Sequence, residues 1–250
     1  MKILLVADLH YTLRQWDWVQ EVAGRFDLVV VAGDLLDIGS IVPLHAQSIV
    51  VGKYLGRIAG RAPLLVCSGN HDVMEDPDGV RRASWLTSLD APSLVTDGAF
   101  HRQDGWFFSI VPWWEDDETR DEAEAMLDRH RGLLEGDRWA WIHHPPPSGS
   151  TTAWSGRDDG GDEVCGKWID RFRPDFLFSG HIHYAPFHAG GSWIDRIGDT
   201  WVFNAGRQTG PVPTFIVVDT EPDLATWVAA GEAERARLVP PLARQPLVSA

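Results

Sequence analysis

The sequence predicts an α/β fold built on parallel strands with helical crossovers, and three features carry that prediction. Short apolar runs rich in branched residues alternate with stretches of helical apolar spacing. Each run stops at a polar cluster, where open α/β sheets gather their ligands. The pattern appears three times by residue 72 and returns twice later in the chain.

The first run, residues 2–7, leads into Asp8-Leu9-His10. Residues 27–32 lead into Gly33-Asp34-Leu35-Leu36-Asp37, and residues 62–67 into Ser68-Gly69-Asn70-His71-Asp72. Helical spacing over 16–26 and 42–62 supplies the crossovers. Further on, the sequence predicts a helix over 80–89, a strand over 106–111 and an acidic, solvent-facing helix over 116–134. The run Glu115-Asp116-Asp117-Glu118 suits the positive end of that helix. Strands at 139–142 and 175–178 then lead into His143-His144-Pro145-Pro146 and Ser179-Gly180-His181-Ile182-His183. Residues 200–203, 214–218 and 224–228 read as strands of a closing antiparallel run. There is no internal repeat and no linker, so residues 1–230 are expected to form one domain. The Ala-, Arg- and Pro-rich tail 231–250 is expected to be loosely held.

At 250 residues and 44% hydrophobic content, the chain can bury one sizeable core. No apolar run is long enough to cross a bilayer, and residues 1–6 read as a strand rather than a signal peptide. Cytoplasmic residence without membrane contact is therefore expected. Two distant cysteines exclude a disulfide framework or thiolate zinc site, and Cys67 reads as a small core residue. The thirteen tryptophans are assigned to packing. A net charge of −14 disfavours nucleic acid as a partner. It does not exclude a phosphoester, since two bound cations would add about +4 locally.

The strand-end clusters together offer Asp8, His10, Asp34, Asn70, His143, His181 and His183. Carboxylate, amide and imidazole donors without thiolate suit two divalent ions, Mn²⁺, Fe or Zn²⁺, at open sites. Seven ligands fall one short of two four-coordinate ions, and a bridging carboxylate supplies the difference. Two ions about 4 Å apart can hold a phosphate and activate water.

In this order, D-x-H, G-D-x-x-D, G-N-H-D, a later strand-end histidine and G-H-x-H, the motifs resemble those of the calcineurin-like metallophosphoesterases over residues 2–183. The resemblance implies a four-layer sandwich, two facing mixed β-sheets flanked by helices. It implies that Asp8, His10 and His183 hold one metal, that Asn70, His143 and His181 hold the other, and that Asp34 bridges them. His71 would contact the phosphate and assist the leaving group, and Asp72 would orient His71. Asp37 would be a supporting residue rather than a ligand. His143 and His144 are adjacent, and alternation sends them to opposite sides; the resemblance favours His143, the first residue after the apolar run.

The implied reaction is hydrolysis of a phosphoester by a metal-bridging hydroxide. The motif spellings and compact length look most like small bacterial phosphodiesterases, with a nucleotide among the candidate substrates. Nuclease or monoesterase activity stands as the alternative, and a non-catalytic scaffold as a remote one that the complete ligand set disfavours. No obligate protein partner is evident. Arg207, after the strand at 200–203, and Arg14, just past the first motif, are candidate phosphate contacts. Trp113 and Trp114 could flank the site or simply pack. Residues 161–167 mimic a phosphate-binding loop but lack the preceding strand and the hydroxyl after Lys167. His45, His101, His130 and His188 read as ordinary histidines.

Overall fold

The computed structural model describes residues 1–247. The first three apolar runs form β1 (Lys2–Val6), β2 (Leu28–Ala32) and β3 (Leu64–Cys67), parallel neighbours connected through α1 (Leu13–Val22) and α2 (Leu44–Ala59). Next come β4 (Met74–Glu75) and β5 (Arg81–Arg82), which pair with each other. That pairing takes up the start of the helix expected over 80–89, and only the single turn α3 (Ser84–Thr87) remains helical.

The chain continues through β6 (Leu94–Val95), β7 (Phe100–Gln103), β8 (Trp106–Ile110), α4 (Asp117–Arg131) and β9 (Arg138–Ile142). Asp116 caps α4 by accepting the Thr119 N–H at 2.8 Å, so the acidic run is a helix start as expected. Then follow α5 (Glu163–Phe172), β10 (Phe176–Ser179), β11 (Ile194–Ile197), β12 (Thr200–Asn204), β13 (Phe215–Asp219), β14 (Leu224–Ala229), β15 (Glu232–Arg237) and β16 (Arg244–Pro246).

One sheet has the order β16-β15-β14-β13-β1-β2-β3-β6 and the other β11-β12-β10-β9-β8-β7. Both are mixed. The sheets face each other across a core of Ile3, Leu5, Val30, Ile142, Phe178 and Phe203, among others. Leu4, Val6 and Val31 point the opposite way onto α1 and α2, while Trp139, Trp141 and Leu177 point onto α4 and α5. Helix, sheet, sheet, helix is the predicted four-layer sandwich. Trp16, Trp141, Trp193 and Trp227 are fully buried in it, as expected of packing residues. No helix among the described residues is long and apolar enough to cross a membrane.

Two expectations are corrected. Residues 200–203 do not join β13 and β14 in an antiparallel run. They belong to β12, parallel to β10 in the other sheet, where Trp201 and Phe203 fill the space between the sheets. Nor are the described residues of the tail, 232–247, loose. β15 pairs with β14 over six residues, Ala236 and Leu238 enter the inter-sheet core, and the Trp193 indole donates to Glu234 at 2.7 Å. Residues 248–250 lie outside the described ones.

Register places the site. Val6 is level with Val31, and Val31 with Val66; in the second sheet Ile142 is level with Phe178. The polar clusters therefore leave both sheets at one edge.

Candidate metal centre

Backbone bonds stitch the emerging loops together. Asp8 N–H donates to Gly33 O at 3.1 Å, His10 N–H to Asp34 O at 3.0 Å, and Gly180 N–H to His144 O at 2.9 Å. Asp8, His10, Asp34 and His181 all have positive φ, at 55°, 42°, 53° and 68°. Side-chain-bearing residues rarely adopt that region, and it turns these groups away from strand alternation into a shared space. Gly33, also left-handed at φ 83°, and Gly69 leave room that a Cβ would fill: it would strike the His144 ring at the first position and the Asp34 carboxylate at the second.

Asp34 is the hub. Its Oδ2 lies 3.4 Å from His10 Nε2, 3.3 Å from His144 Nε2 and 3.9 Å from His71 Nε2. Its Oδ1 accepts the His71 N–H at 2.9 Å, which fixes the carboxylate's rotation. On one side, Asp8 Oδ1 sits 3.3 Å from His183 Nε2 and 3.8 Å from His10 Nε2, and the two imidazole nitrogens are 3.0 Å apart. On the other, His144 and His181 converge with Asp34. Of three candidate donor groups, Asp8–His10–Asp34–His183 and Asp34–His144–His181 share the Asp34 carboxylate, while the third, His10–Asp37–His71, meets the first only at His10.

Burial holds His10 and His181 down to about 4, so both are neutral at pH 7 and carry free lone pairs. Burial opposes charge on Asp34 and His144 as well, but each sustains the other: Asp34 is held well below the usual carboxylate range and His144 is raised. Asn70 Oδ1 and His144 Nε2 are buried without any hydrogen-bond partner. Buried carboxylates, the neutral His10 and His181 and the unpartnered Asn70 oxygen fit divalent cations, and a cation beside Asp34 would take the place of the proton on His144.

The assignment of His143 is corrected. On β9, Trp139 and Trp141 face the helices while Ala140 and Ile142 face the other sheet. His143 stays in phase with the tryptophans. Its ring stacks on Trp114 at 4.5 Å, Nδ1 is 3.3 Å from Val111 O, and its buried Nε2 has no partner. His144, in phase with Ile142, enters the cluster, with its Nδ1 2.8 Å from Ala32 O.

Asp72 is corrected too. It does not touch the His71 ring. Its buried carboxylate accepts backbone N–H bonds from Leu35 and Leu36 at 2.9 Å and from Gly69 at 2.8 Å, clamping two motif loops together. Burial and the nearby Asp34 charge push it up to about 8. What orders His71 is the Ile38 N–H, which donates to Nδ1 at 3.3 Å, with Asp37 Oδ1 3.9 Å away. The sequence reading gave Asp37 a supporting place at the end of G-D-x-x-D without linking it to His71, and it missed the Ile38 amide, a backbone group that leaves no signal in the sequence.

Arg207 lies beside the cluster: its backbone N–H donates to His183 O at 2.9 Å and its charge bears on His10. Arg14 is exposed on the first turn of α1. Trp113 flanks the centre, 5.6 Å from the His181 ring and 5.9 Å from His144, whereas Trp114 packs on His143 and Trp168. Residues 163–167 are the first turns of α5, not a phosphate loop. His45, His101, His130 and His188 stay outside both donor sets; His130 is buried and pairs with Ser109 at 3.0 Å.

A family model, "Calcineurin-like phosphoesterase", matches residues 1–185. The chain belongs to that family. Among solved structures, the phosphoesterase chain resembles TT1561 of Thermus thermophilus at a TM-score of 0.62 and 14% identity, covering 95% of this chain and 99% of that one. It also resembles purple acid phosphatase PPD1 from yellow lupin seeds at a TM-score of 0.54 and 12% identity, covering 95% of this chain and 51% of that one. At such identities the likeness is one of fold. Nothing among the curated proteins matches the chain. Family and donor sets together make this a phosphoesterase with clustered Asp and His candidates for metal binding.

Proposed function

We propose that this phosphoesterase is a phosphodiesterase with two divalent ions per chain, Mn²⁺, Fe or Zn²⁺. The observation that carries the reading is the position of Asp34, whose single carboxylate stands between two imidazole sets at nearly equal distances, 3.4 and 3.3 Å. Asp8, His10 and His183 would hold one ion and Asn70, His144 and His181 the other, with Asp34 shared. When bound, the pair supplies an activated water and a Lewis-acid clamp on phosphorus.

The chain's own residues do the rest. Because Nδ1 of His71 accepts from Ile38, Nε2 carries the ring proton and presents it on the Asp34 side of the cluster. That N–H can donate a hydrogen bond to a phosphoryl or departing ester oxygen as charge develops on it. Arg207 would neutralise a phosphoryl oxygen. What favours the diester as substrate is the compact length and the motif spellings, which look most like those of small bacterial phosphodiesterases.

The test is hydrolysis of bis-p-nitrophenyl phosphate against p-nitrophenyl phosphate with added Mn²⁺ and then with chelator. Faster, chelator-sensitive cleavage of the diester is the expected result. Preference for the monoester would overturn the diesterase reading, and cleavage of neither would return the chain to the scaffold alternative.

A further inference from the structure

Beside His183 runs an open groove of about 410 Å³, lined by His183, Tyr184, Phe187, Arg207, Gln208 and Thr209. Its size falls in the range of small-molecule sites. Two large rings stand exposed in it, Tyr184 at 60% and Phe187 at 41%. Phe187 is braced from beneath by Trp227, with ring centroids 5.4 Å apart. Tyr184 sits 6.2 Å from the His183 ring, one residue from a candidate ligand. Ion pairs of the described residues engage Arg81, Arg82, Arg102, Arg120 and Arg138, but none engages Arg207. What sets Arg207 apart from the other arginines without an ion pair is its place in the groove beside His183, where its guanidinium can meet an anion.

We propose that this groove holds a flat, nucleoside-class arm of the ester, with its ring against Tyr184 and Phe187 while Arg207 holds the attached phosphate. This rests on the phosphodiesterase reading and names the part of the substrate that the cluster itself does not select. The rings supply stacking surface in the same groove as His183 and Arg207. Stacking of a base on an aromatic side chain is sequence-tolerant, so the groove selects a planar ring rather than one particular base.

The experiment is calorimetric titration of the protein supplied with Mn²⁺, using thymidine 5′-phosphate and, separately, inorganic phosphate. The nucleotide is expected to bind about tenfold tighter than phosphate. Tyr184→Ala should erase that advantage, Tyr184→Trp should restore it, and Arg207→Gln should weaken both ligands. Tyr184 is exposed, so these variants should keep the wild-type circular dichroism. Equal affinity of the wild type for the two ligands, or an undiminished preference in Tyr184→Ala, would overturn the proposal. Failed diester turnover alongside an intact, Tyr184-dependent preference would remove only the phosphodiesterase reading. Turnover without the preference would remove only this one.

Discussion

At the scale of single residues, the adjacent pair His143 and His144 separates coordination from packing. His144→Ala removes the Nε2 that faces Asp34 at 3.3 Å. It is expected to lose one ion per chain and more than about a hundredfold in diester turnover. His143→Ala instead removes a buried ring stacked on Trp114. It should cost about 2–4 kcal/mol of stability and keep both ions. Metal analysis and urea unfolding of the two variants check this, and the reverse pattern would restore His143 as ligand. Most of the cluster was legible because D-x-H, G-D, G-N-H and G-H-x-H place their donors at strand ends whatever surrounds them. The His143–His144 choice was not, because both faces of β9 are buried, and alternation tells which residues share a face but not which face meets the site. Nor could spacing show that Asp72 grips the Leu35 and Leu36 amides, since that contact depends on how two loops from different strands meet.

Between elements, buried Asp97 ties the segment before β7 to the end of β3. It accepts the Ser68 N–H at 2.9 Å, and Ser68 Oγ in turn accepts the Trp113 N–H at 3.0 Å. Burial pushes Asp97 up to about 6, only partly offset by its bonds to Ser68. A carboxyl with a raised folded pKa favours the fold fully below its unfolded value near 3.8, and that contribution is lost as pH rises through about 6. Asp97→Asn keeps an acceptor for the Ser68 N–H and removes the ionisation. It is expected to be more stable than wild type by about 2–3 kcal/mol at pH 8 and near-equal at pH 4. Urea unfolding at the two pH values measures this, and a pH-independent difference would contradict it. Elements with strong apolar periodicity were readable in advance. β15, Glu-Ala-Glu-Arg-Ala-Arg, was not, because strands near a sheet edge carry charge on their exposed positions and so look like tail. Its docking depends on partners distant in sequence, such as Trp193.

For the whole molecule, the layers stack two sheets face to face with their strand ends aligned, so that loops from β1, β2 and β3 meet loops from β9 and β10. Only this arrangement sets the Asp34 carboxylate, already close to His10, beside donors more than a hundred residues away, His144 and His181. The sandwich itself followed from the parallel-strand grammar and the family resemblance. The division of the closing strands between two sheets did not, because β12 and β13 carry similar apolar runs. The central claim is that Asp34 joins two ion sites into one hydrolytic centre. Its most direct test is ion stoichiometry together with diester turnover for the Mn²⁺-reconstituted wild type and Asp34→Ala. The account predicts two ions per chain and chelator-sensitive turnover in the wild type, and loss of tightly held metal with turnover down by at least about a thousandfold in the variant. Two retained ions with near-wild-type turnover in Asp34→Ala would contradict it.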